Sequence, residues 1–392
     1  MPYTRFKMKF RFQIKKKVFK LEYGLFALVL SLIGIGMIML FSTSSVVGLV
    51  NYRDGYFFLK RYFMYLMIGC CAMIFGMFYP HTQYKKLTLP GLGLSFFLLF
   101  LTLVPGIGIK AGGANRWLSL GIIQFQPVEI VKFFIIVFFA TALERKQAHF
   151  YSFRKSVLPL LCILAIPILI LLKQPNYSNT LLILATCFWL MVLSGIPLRH
   201  LSLIGLMGGL IMMLSLALNP YQLDRVKTFL RPDHDPLGKG YHINQSLITI
   251  GSGGMYGLGI GQSKMKYFYL PLHYSDFIFS IVCEEGGLAL ALGVLGLFGL
   301  LFKKGFSISL SNSTWYSFLL GMGLTMILIF QGLINIAVSI GIFPVTGMPL
   351  TFISFGGTSL VMALFFVGVL FNIYSENGNR PVSITENVHA AR

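Results

Sequence analysis

Acidic residues are scarce in this sequence: Asp and Glu together number 12 among 392 residues. Charged residues of both signs make up only 11% of the chain, whereas hydrophobic residues make up 56%. A soluble domain could not bury that much apolar surface. The composition therefore excludes an ordinary soluble protein and predicts a polytopic membrane protein.

Cysteine is also sparse, and its five positions all fall inside apolar segments. None of them forms a C-x-x-C pair, and none lies near a pair of histidines. Such cysteines behave as small buried residues, so we expect neither a disulfide framework nor a cysteine metal site.

Apolar runs of about 17 residues or more can cross the hydrocarbon core of a bilayer. The sequence contains ten of them, at 24–44, 62–79, 88–104, 127–143, 156–172, 178–195, 201–218, 276–302, 316–337 and 358–374. We therefore predict an all-α membrane domain of about ten helices over residues 23–375. A basic tail, residues 1–22, precedes this domain, and a polar tail, residues 376–392, follows it.

The formal net charge of +20 would suggest nucleic-acid binding in a soluble protein. Here the basic residues are scattered between apolar runs, so we expect no nucleic-acid partner. With the N-terminus inside, 19 Lys and Arg residues fall on the cytoplasmic side and 12 outside, and Lys132 lies within a span. The positive-inside rule thus predicts that both termini are cytoplasmic.

Two predicted outer segments are longer or more polar than simple connectors need to be. Residues 105–126 read "PGIGIKAGGANRWLSLGIIQFQ", and residues 219–275 form a loop between the seventh and eighth spans. Long ordered loops in compact proteins are usually functional. We expect these two segments to carry part of a site.

Asp276 opens the eighth apolar run on the predicted outer face. An acid at that position favours the helix N-terminus, which is one interpretation. The other is a general base at the membrane surface, where partial desolvation raises the pKa of a carboxyl group towards the working pH. Both stay open at this stage.

Three further acids are placed in or beside spans, where unpaired charge is costly. Glu284 and Glu285 lie two to three turns deeper than Asp276, and Lys132 is a candidate partner for one of them. Glu129 and Lys132 also stand three residues apart on one helical face. A structural ion pair and a substrate site are both compatible with this pattern.

Cations in the outer segments are not required for membrane topology. Arg225 and Lys266 belong to a basic group in the 219–275 loop. An anionic phosphate or pyrophosphate ligand would explain this group, although a solvated loop is the simpler alternative.

Trp117, beside Arg116, is typical of an interfacial anchor. The stretch "FPVTGMPLTFISFGGTS", residues 343–359 with Ser354, suggests irregular backbone along a cavity wall.

These stretches together, in this order, resemble the SEDS family (shape, elongation, division and sporulation). The resemblance rests on "GANRWLSLG", "FQPVEIVK", "DPLGKGYHINQSLITIGSGGMYGLGIGQSKMKYFYLP", "SDFIFSIVCEEGG" and "FPVTGMPLTFISFGGTSL". The segment "GQSKMKYFYLP" is closer to the FtsW branch than to RodA.

The resemblance implies an inverting glycosyltransferase in the bacterial cytoplasmic membrane that polymerises lipid II and extends a lipid-linked glycan. Asp276 matches the acid proposed as catalytic base. The residues implied to contact substrate are Arg116, Trp117, Glu129, Lys132, Arg225, Lys266, Glu285 and Ser354. The resemblance also implies a class B penicillin-binding protein as partner, within a divisome or elongasome. No cofactor is implied with certainty, and a divalent cation on the pyrophosphate stays open.

Several positions depart from the family pattern. Leu272 and Tyr274 replace a Glu and a His before Asp276, Asn176 replaces an acid, and Val128 replaces a Ser. Two alternatives to an active polymerase stay open, and these departures support the second of them. One is a lipid II flippase or other transporter, and the other is a weakly active scaffold for the transpeptidase. Division, elongation and sporulation are not distinguished.

Overall fold

Helices dominate the computed structural model, which describes residues 21–111, 114–121, 123–218, 220–231, 240–267, 269–271 and 274–377. The predicted tails lie almost wholly outside the described residues, as does Leu272. The division into two tails and one membrane domain therefore stays a prediction.

Within the described residues, ten long helices follow the ten predicted apolar runs, and three shorter helices lie between them. Their bounds are α1 Tyr23–Tyr52, α2 Phe57–Phe78, α3 Tyr84–Leu101, α4 Val128–Arg145, α5 Phe153–Ser156, α6 Leu158–Lys173, α7 Tyr177–Leu193, α8 Leu198–Leu218, α9 Pro220–Leu230, α10 Tyr241–Ser252, α11 Ile278–Leu310, α12 Trp315–Ser339 and α13 Thr358–Asn377. The prediction of an all-α membrane protein is confirmed.

Not all ten long helices are equally apolar. Within the described residues, seven are long and apolar enough to cross a membrane, namely α1, α2, α3 with the turn before it, α8, α11, α12 and α13. Helices α6 and α7 are apolar but shorter. Helix α4 is also a core helix, although it carries Glu129, Lys132, Glu144 and Arg145.

Helix α12 forms the centre of the bundle, and α8 lies at its edge. In the apolar part of α12, 78% of the residues are buried inside the protein, whereas in α8 the share is 6%. Helix α8 therefore presents nearly its whole surface to lipid, while the polar side chains of α12 face other protein groups.

The first predicted outer segment forms a small antiparallel sheet. Its strands are β1 (Ile109–Ala111), β2 (Ala114–Leu120) and β3 (Ile123–Phe125), in the order β1-β2-β3. The second predicted outer segment contains α9 and α10. The described residues of both segments thus include regular structure, as the length and composition of the segments suggested.

Helix α11 is kinked at Gly287, whose φ of 65° and ψ of −169° interrupt the helical backbone. This conformation is essentially restricted to glycine because a Cβ would clash with the chain. The kink separates a first part, which begins just after Asp276, from a straight second part that ends at Leu310.

Residues predicted to lie on the outer side contact one another at one end of the bundle. The hydroxyl of Ser178, at the start of α7, donates to the Thr346 carbonyl at 2.7 Å, and Gln126 N donates to Thr358 Oγ1 at 3.3 Å. The opposite end joins predicted inner residues, since His81 Nε2 lies 2.7 Å from Ser317 Oγ. Which end faces the cytoplasm stays a prediction.

Candidate active site

Asp276 lies two residues before α11, where the backbone on both sides is fixed by hydrogen bonds. Ser354 Oγ donates to the Ser275 carbonyl at 2.6 Å, and Asn335 Nδ2 donates to the Asp276 carbonyl at 2.8 Å. The same Asn335 nitrogen donates to the Met348 carbonyl at 2.7 Å. The backbone that carries Asp276 is therefore held between α12 and the irregular 340–357 segment.

The surroundings of Asp276 suit a proton acceptor near neutral pH. Burial raises the pKa of Asp276 from 3.8 to about 6, while a hydrogen bond from Ser275 and the charges of Arg225 and Arg116 oppose that rise. A carboxyl group with this pKa is mostly ionised at pH 7, yet it is a stronger base than a solvated aspartate.

The two arginines that act electrostatically on Asp276 come from the two predicted outer segments. Arg116, in β2, donates from Nη2 to the Pro175 carbonyl at 2.6 Å. Arg225, in α9, donates from Nη1 to the Val345 carbonyl at 3.0 Å. The fold thus brings both predicted cations to the end of the bundle that carries Asp276. Trp117 follows Arg116 in β2 and pairs with Ile109.

Ser354 has a supporting position. Its hydroxyl donates to the Ser275 carbonyl and also accepts a hydrogen bond from Leu350 N at 2.8 Å. Both contacts are intramolecular, and together they order the backbone next to Asp276. Its predicted contact with substrate stays a prediction.

Glu129 and Lys132 form a buried ion pair within α4. Lys132 Nζ lies 2.7 Å from Glu129 Oε1 and 3.2 Å from Gln331 Oε1. Both charged residues are at most 4% exposed. The alternative in which Lys132 pairs with Glu284 or Glu285 is therefore wrong, because a partner three residues away on the same helix satisfies the ammonium.

Gln331 connects this ion pair to the irregular segment beside Asp276. Its Nε2 donates to Ser359 Oγ at 2.9 Å and to the Pro349 carbonyl at 3.2 Å. Gln331 and Asn335 lie one turn apart on α12. Two side chains on one face of α12 thus contact the buried ion pair and the Asp276 backbone.

Glu284 and Glu285 bind the 261–267 loop. Glu284 accepts hydrogen bonds from the hydroxyl of Ser263 and, at 3.0 Å, from Lys264 N. Glu285 Oε1 accepts from Ser42 Oγ at 2.6 Å and pairs with Lys266 Nζ at 3.3 Å. The expectation that a buried cation pairs with one of these acids is met for Glu285, but the cation comes from the loop.

Lys266 is 4% exposed, and its ammonium donates to Glu285, to Ser42 Oγ at 3.3 Å and to the Gly261 carbonyl. These three contacts match the three donors of an ammonium group. In this arrangement Lys266 holds the loop against α11, and its predicted contact with substrate stays a prediction.

Apolar or neutral groups fill the positions that depart from the family pattern. The Tyr274 ring lies 4.7 Å from that of Phe58, and its carbonyl accepts from Phe355 N at 3.2 Å. Asn176 Oδ1 accepts from Asn179 at 3.0 Å, and Val128 is buried at the start of α4. Tyr274 and Val128 are thus packed against neighbouring groups, whereas Asn176 Nδ2 is buried without a hydrogen-bond partner among the described residues.

A cavity of about 140 Å³ opens beside Arg225. Its walls come from α7, α8, α9 and the 343–346 stretch, and they are mainly apolar. The stretch continues to Gly347, where an added Cβ would lie 3.6 Å from Asp276 Oδ2. The wall stretch that ends at Thr346 is therefore followed by a residue next to the carboxylate, and the cavity reaches the lipid-facing helix α8.

The sequence patterns did not single out Asn335, Gln331 or Ser178. The signal available was the polar spacing in "IFQGLINIAVS", where an amide recurs after four residues within an apolar span. In the part of the chain that the structure describes, no group of three or more His, Cys, Asp or Glu side chains could hold a metal ion.

Comparison with known proteins gives a consistent result. The FtsW/RodA/SpoVE model, described as "Cell cycle protein", matches residues 23–379. Stage V sporulation protein E of Bacillus subtilis is 38% identical over 347 residues, covering 88% of this chain and 94% of that protein. A probable peptidoglycan glycosyltransferase FtsW of Trichlorobacter lovleyi is 34% identical over 364 residues, covering 92% and 96%.

Solved structures share the fold. A chain from a peptidoglycan synthase complex that coordinates polymerisation and crosslinking superimposes with a TM-score of 0.77 at 29% identity, covering 92% of this chain and 99% of that one. The rod shape determining protein RodA of Thermus thermophilus gives a TM-score of 0.68 at 27% identity, covering 92% and 98%. On its sequence match and its helical arrangement, this chain belongs to the FtsW/RodA/SpoVE family, the SEDS proteins.

Proposed function

We propose that this chain is a peptidoglycan glycosyltransferase that polymerises lipid II into β-1,4 glycan strands at the outer face of the bacterial cytoplasmic membrane. The observation that carries the proposal is Asp276, a carboxyl group with a raised pKa on a hydrogen-bonded backbone, at the end of the bundle that also carries Arg116 and Arg225. Relatives named peptidoglycan glycosyltransferase FtsW support the reaction class.

In the proposed reaction Asp276 accepts the proton of the 4-hydroxyl group of an incoming GlcNAc. The oxygen attacks the anomeric carbon of the lipid-linked donor, the new C–O bond forms, and the bond to the pyrophosphate breaks with inversion. Holding two lipid-anchored substrates at one membrane surface supplies much of the rate by positioning.

The departing lipid pyrophosphate gains negative charge, which nearby cations would stabilise. Arg225 and Arg116 are the candidates, because both already act on the Asp276 carboxylate. Each now donates to a backbone carbonyl, so binding a pyrophosphate requires a guanidinium to share or exchange that contact. The apolar cavity beside Arg225 offers space for the lipid-proximal part of the substrate.

We further propose a class B penicillin-binding protein as partner, within the machinery of division, elongation or sporulation. The structural similarity to a chain of a peptidoglycan synthase complex supports this partner. Relatives that include both a sporulation protein and FtsW proteins support wall synthesis as the shared process.

A scaffold with weak activity is the second candidate function. Asn176 and Tyr274 favour it, because each removes an ionisable group that the family pattern places near the cavity. A lipid II flippase is the third, and it requires a polar path through the bundle. The buried Glu129–Lys132 pair is the feature that such a path would use.

One experiment separates the three functions. Purified protein in liposomes is given lipid II, with and without its cognate class B partner, and glycan length is read on a gel. Polymer in either arm supports the glycosyltransferase. Transfer of lipid II between leaflets without polymer would support the flippase. Polymer in neither arm, with lipid II retained in its leaflet, would support the scaffold.

A further inference from the structure

Residues 253–260, here called the apolar segment, expose large hydrophobic side chains on the predicted outer side of the protein. Met255, Tyr256, Leu258 and Ile260 are 64%, 89%, 42% and 63% exposed. From Tyr241 to Ser263 the sequence contains no Lys, Arg, Asp or Glu. A surface loop in water normally carries charged residues, so this composition indicates an apolar environment.

The backbone of the apolar segment pairs with α11 at its kink. Leu258 N donates to the Glu284 carbonyl at 2.9 Å, and Gly259 N donates to the Glu285 carbonyl at 3.0 Å. In return, Leu288 N donates to the Gly254 carbonyl at 3.0 Å. Backbone groups paired in this way meet the condition for non-helical chain at membrane depth.

Close approach to α11 also makes the apolar segment rigid. A Cβ added to Gly257 would collide with the Glu285 carbonyl, and one added to Gly253 would collide with the Cys283 carbonyl. The exposed side chains are therefore presented by a fixed backbone, not by a loose loop.

The depth of the apolar segment follows from the straight part of α11. Lys304 pairs with Glu22 at 2.7 Å, and this charged pair marks the predicted inner boundary of the membrane. Leu288 lies sixteen residues before Lys304, a rise of about 24 Å at 1.5 Å per residue. Because the hydrocarbon core is about 30 Å thick, Leu288 and the segment paired with it lie a few ångströms inside the opposite boundary.

The exposed surface of α11 continues into the apolar segment. Leu288 and Leu292 are 45% and 57% exposed on the straight, lipid-facing part of the helix. Met255 lies beside them, since its carbonyl accepts from Ala289 N at 3.2 Å. The two elements thus form one apolar surface without a polar boundary between them.

We propose that the apolar segment is inserted among the acyl chains of the leaflet nearest Asp276. Its occupant is the lipid itself, and the contact does not depend on the proposed enzymatic activity. Insertion would anchor the chain just before the 261–267 loop, which Glu284 and Glu285 hold against α11. Insertion would then fix the position of this end of the bundle, where Asp276 lies, relative to the membrane surface.

Tryptophan fluorescence in phosphatidylethanolamine–phosphatidylglycerol vesicles tests the proposal. The variant Tyr256→Trp is compared with Tyr151→Trp, a matched control at a position 81% exposed in the predicted inner loop between α4 and α6. The emission of the three native tryptophans is subtracted with wild-type protein. Each protein is quenched by acyl-brominated lipid and by iodide present on both sides of the vesicle.

We expect the brominated lipid to quench the tryptophan at 256 at least twofold more than the one at 151, and iodide to show the reverse order. Quenching of position 256 by iodide but not by brominated lipid would overturn the proposal. Iodide access that is lost only after a protein partner is added would also overturn it and would assign the surface to that partner. Equal elution volumes on size exclusion establish that both variants are folded.

Discussion

The side-chain amide of Asn335 donates to the Asp276 carbonyl at 2.8 Å and to the Met348 carbonyl at 2.7 Å. One nitrogen on the central helix α12 therefore ties the peptide that carries the carboxylate to the irregular segment on the other side of the site. Asn335 is 1% exposed, so water cannot replace these bonds.

Asn335→Ala should lower kcat for lipid II polymerisation at least tenfold and leave KM nearly unchanged, because the base loses its position while the substrate surfaces remain. Two buried carbonyls lose their donor, at a cost of about 1–3 kcal/mol each. Leu333→Ala, on the exposed side of the same helix, is the control and should retain activity. A kcat equal to that of the control would show that Asn335 does not position Asp276.

The pH dependence of polymerisation should report the titration of Asp276. Burial raises its pKa to about 6, so the base is ionised above that pH and protonated below it. We expect kcat to fall tenfold per pH unit below about pH 6 in a buffer series at constant ionic strength. Activity that is unchanged down to pH 5 would contradict the assignment of Asp276 as base.

Asp276→Asn should be more stable than the wild type at neutral pH. The pKa of Asp276 is higher in the folded protein, at about 6, than its unfolded value of 3.8, because the native site disfavours the charged carboxylate. The folded protein therefore loses stability as the pH rises through about 6. The variant lacks that penalty, so its apparent Tm in detergent should exceed that of the wild type at pH 8. The difference should vanish near pH 4, and a constant difference across this range would argue against the raised pKa.

The Glu129–Lys132 pair should behave differently in single and double variants. Lys132→Met leaves a buried carboxylate unpaired, at a cost of about 3–5 kcal/mol, and Glu129→Gln leaves a buried ammonium. The double variant should recover most of the stability measured as apparent Tm. Recovery of polymerisation as well would assign the pair to structure alone, whereas recovery of stability without activity would support a substrate contact.

Gly287→Ala should destabilise the protein by about 1–3 kcal/mol, because its φ and ψ lie in a region reserved for glycine. Gly293→Ala is the matched control, since it lies in the same helix with nothing within 4 Å of an added Cβ. The control should be neutral or slightly more stable. Equal apparent Tm values for the two variants would show that the kink is not required.

Hydropathy predicted the long helices well, because each helix that spans a membrane needs a long apolar run and few other structures contain one. Two helices continue eight residues past the predicted run: α11 ends at Leu310 although its run was placed at 276–302. Helix α1 continues to Tyr52 through "STSSVVGLVNY" although its run was placed at 24–44. Three serines and a threonine break the run, yet several of them are buried against other helices. Burial of hydroxyl groups depends on the fold and is not visible in local composition.

Pairings between distant residues were less predictable. Asp276, Arg116 and Arg225 came from residue types at predicted outer positions, and the fold brings them to one end. The partner of Glu285 was not predictable, because Lys266 reaches it only after α11 kinks at Gly287 and the loop folds back. Asn335 was missed for a related reason: a neutral amide in an apolar span gives no charge signal.

The most direct test of the account compares Asp276→Asn with Asp54→Asn in the lipid II polymerisation assay, each with the class B partner present. Asp54 is the matched control, because it is an acid on the same predicted side and forms a surface ion pair with Lys60 at 2.7 Å. We predict that Asp54→Asn makes glycan strands of wild-type length and that Asp276→Asn makes none. Strands of normal length and rate from Asp276→Asn would contradict the account.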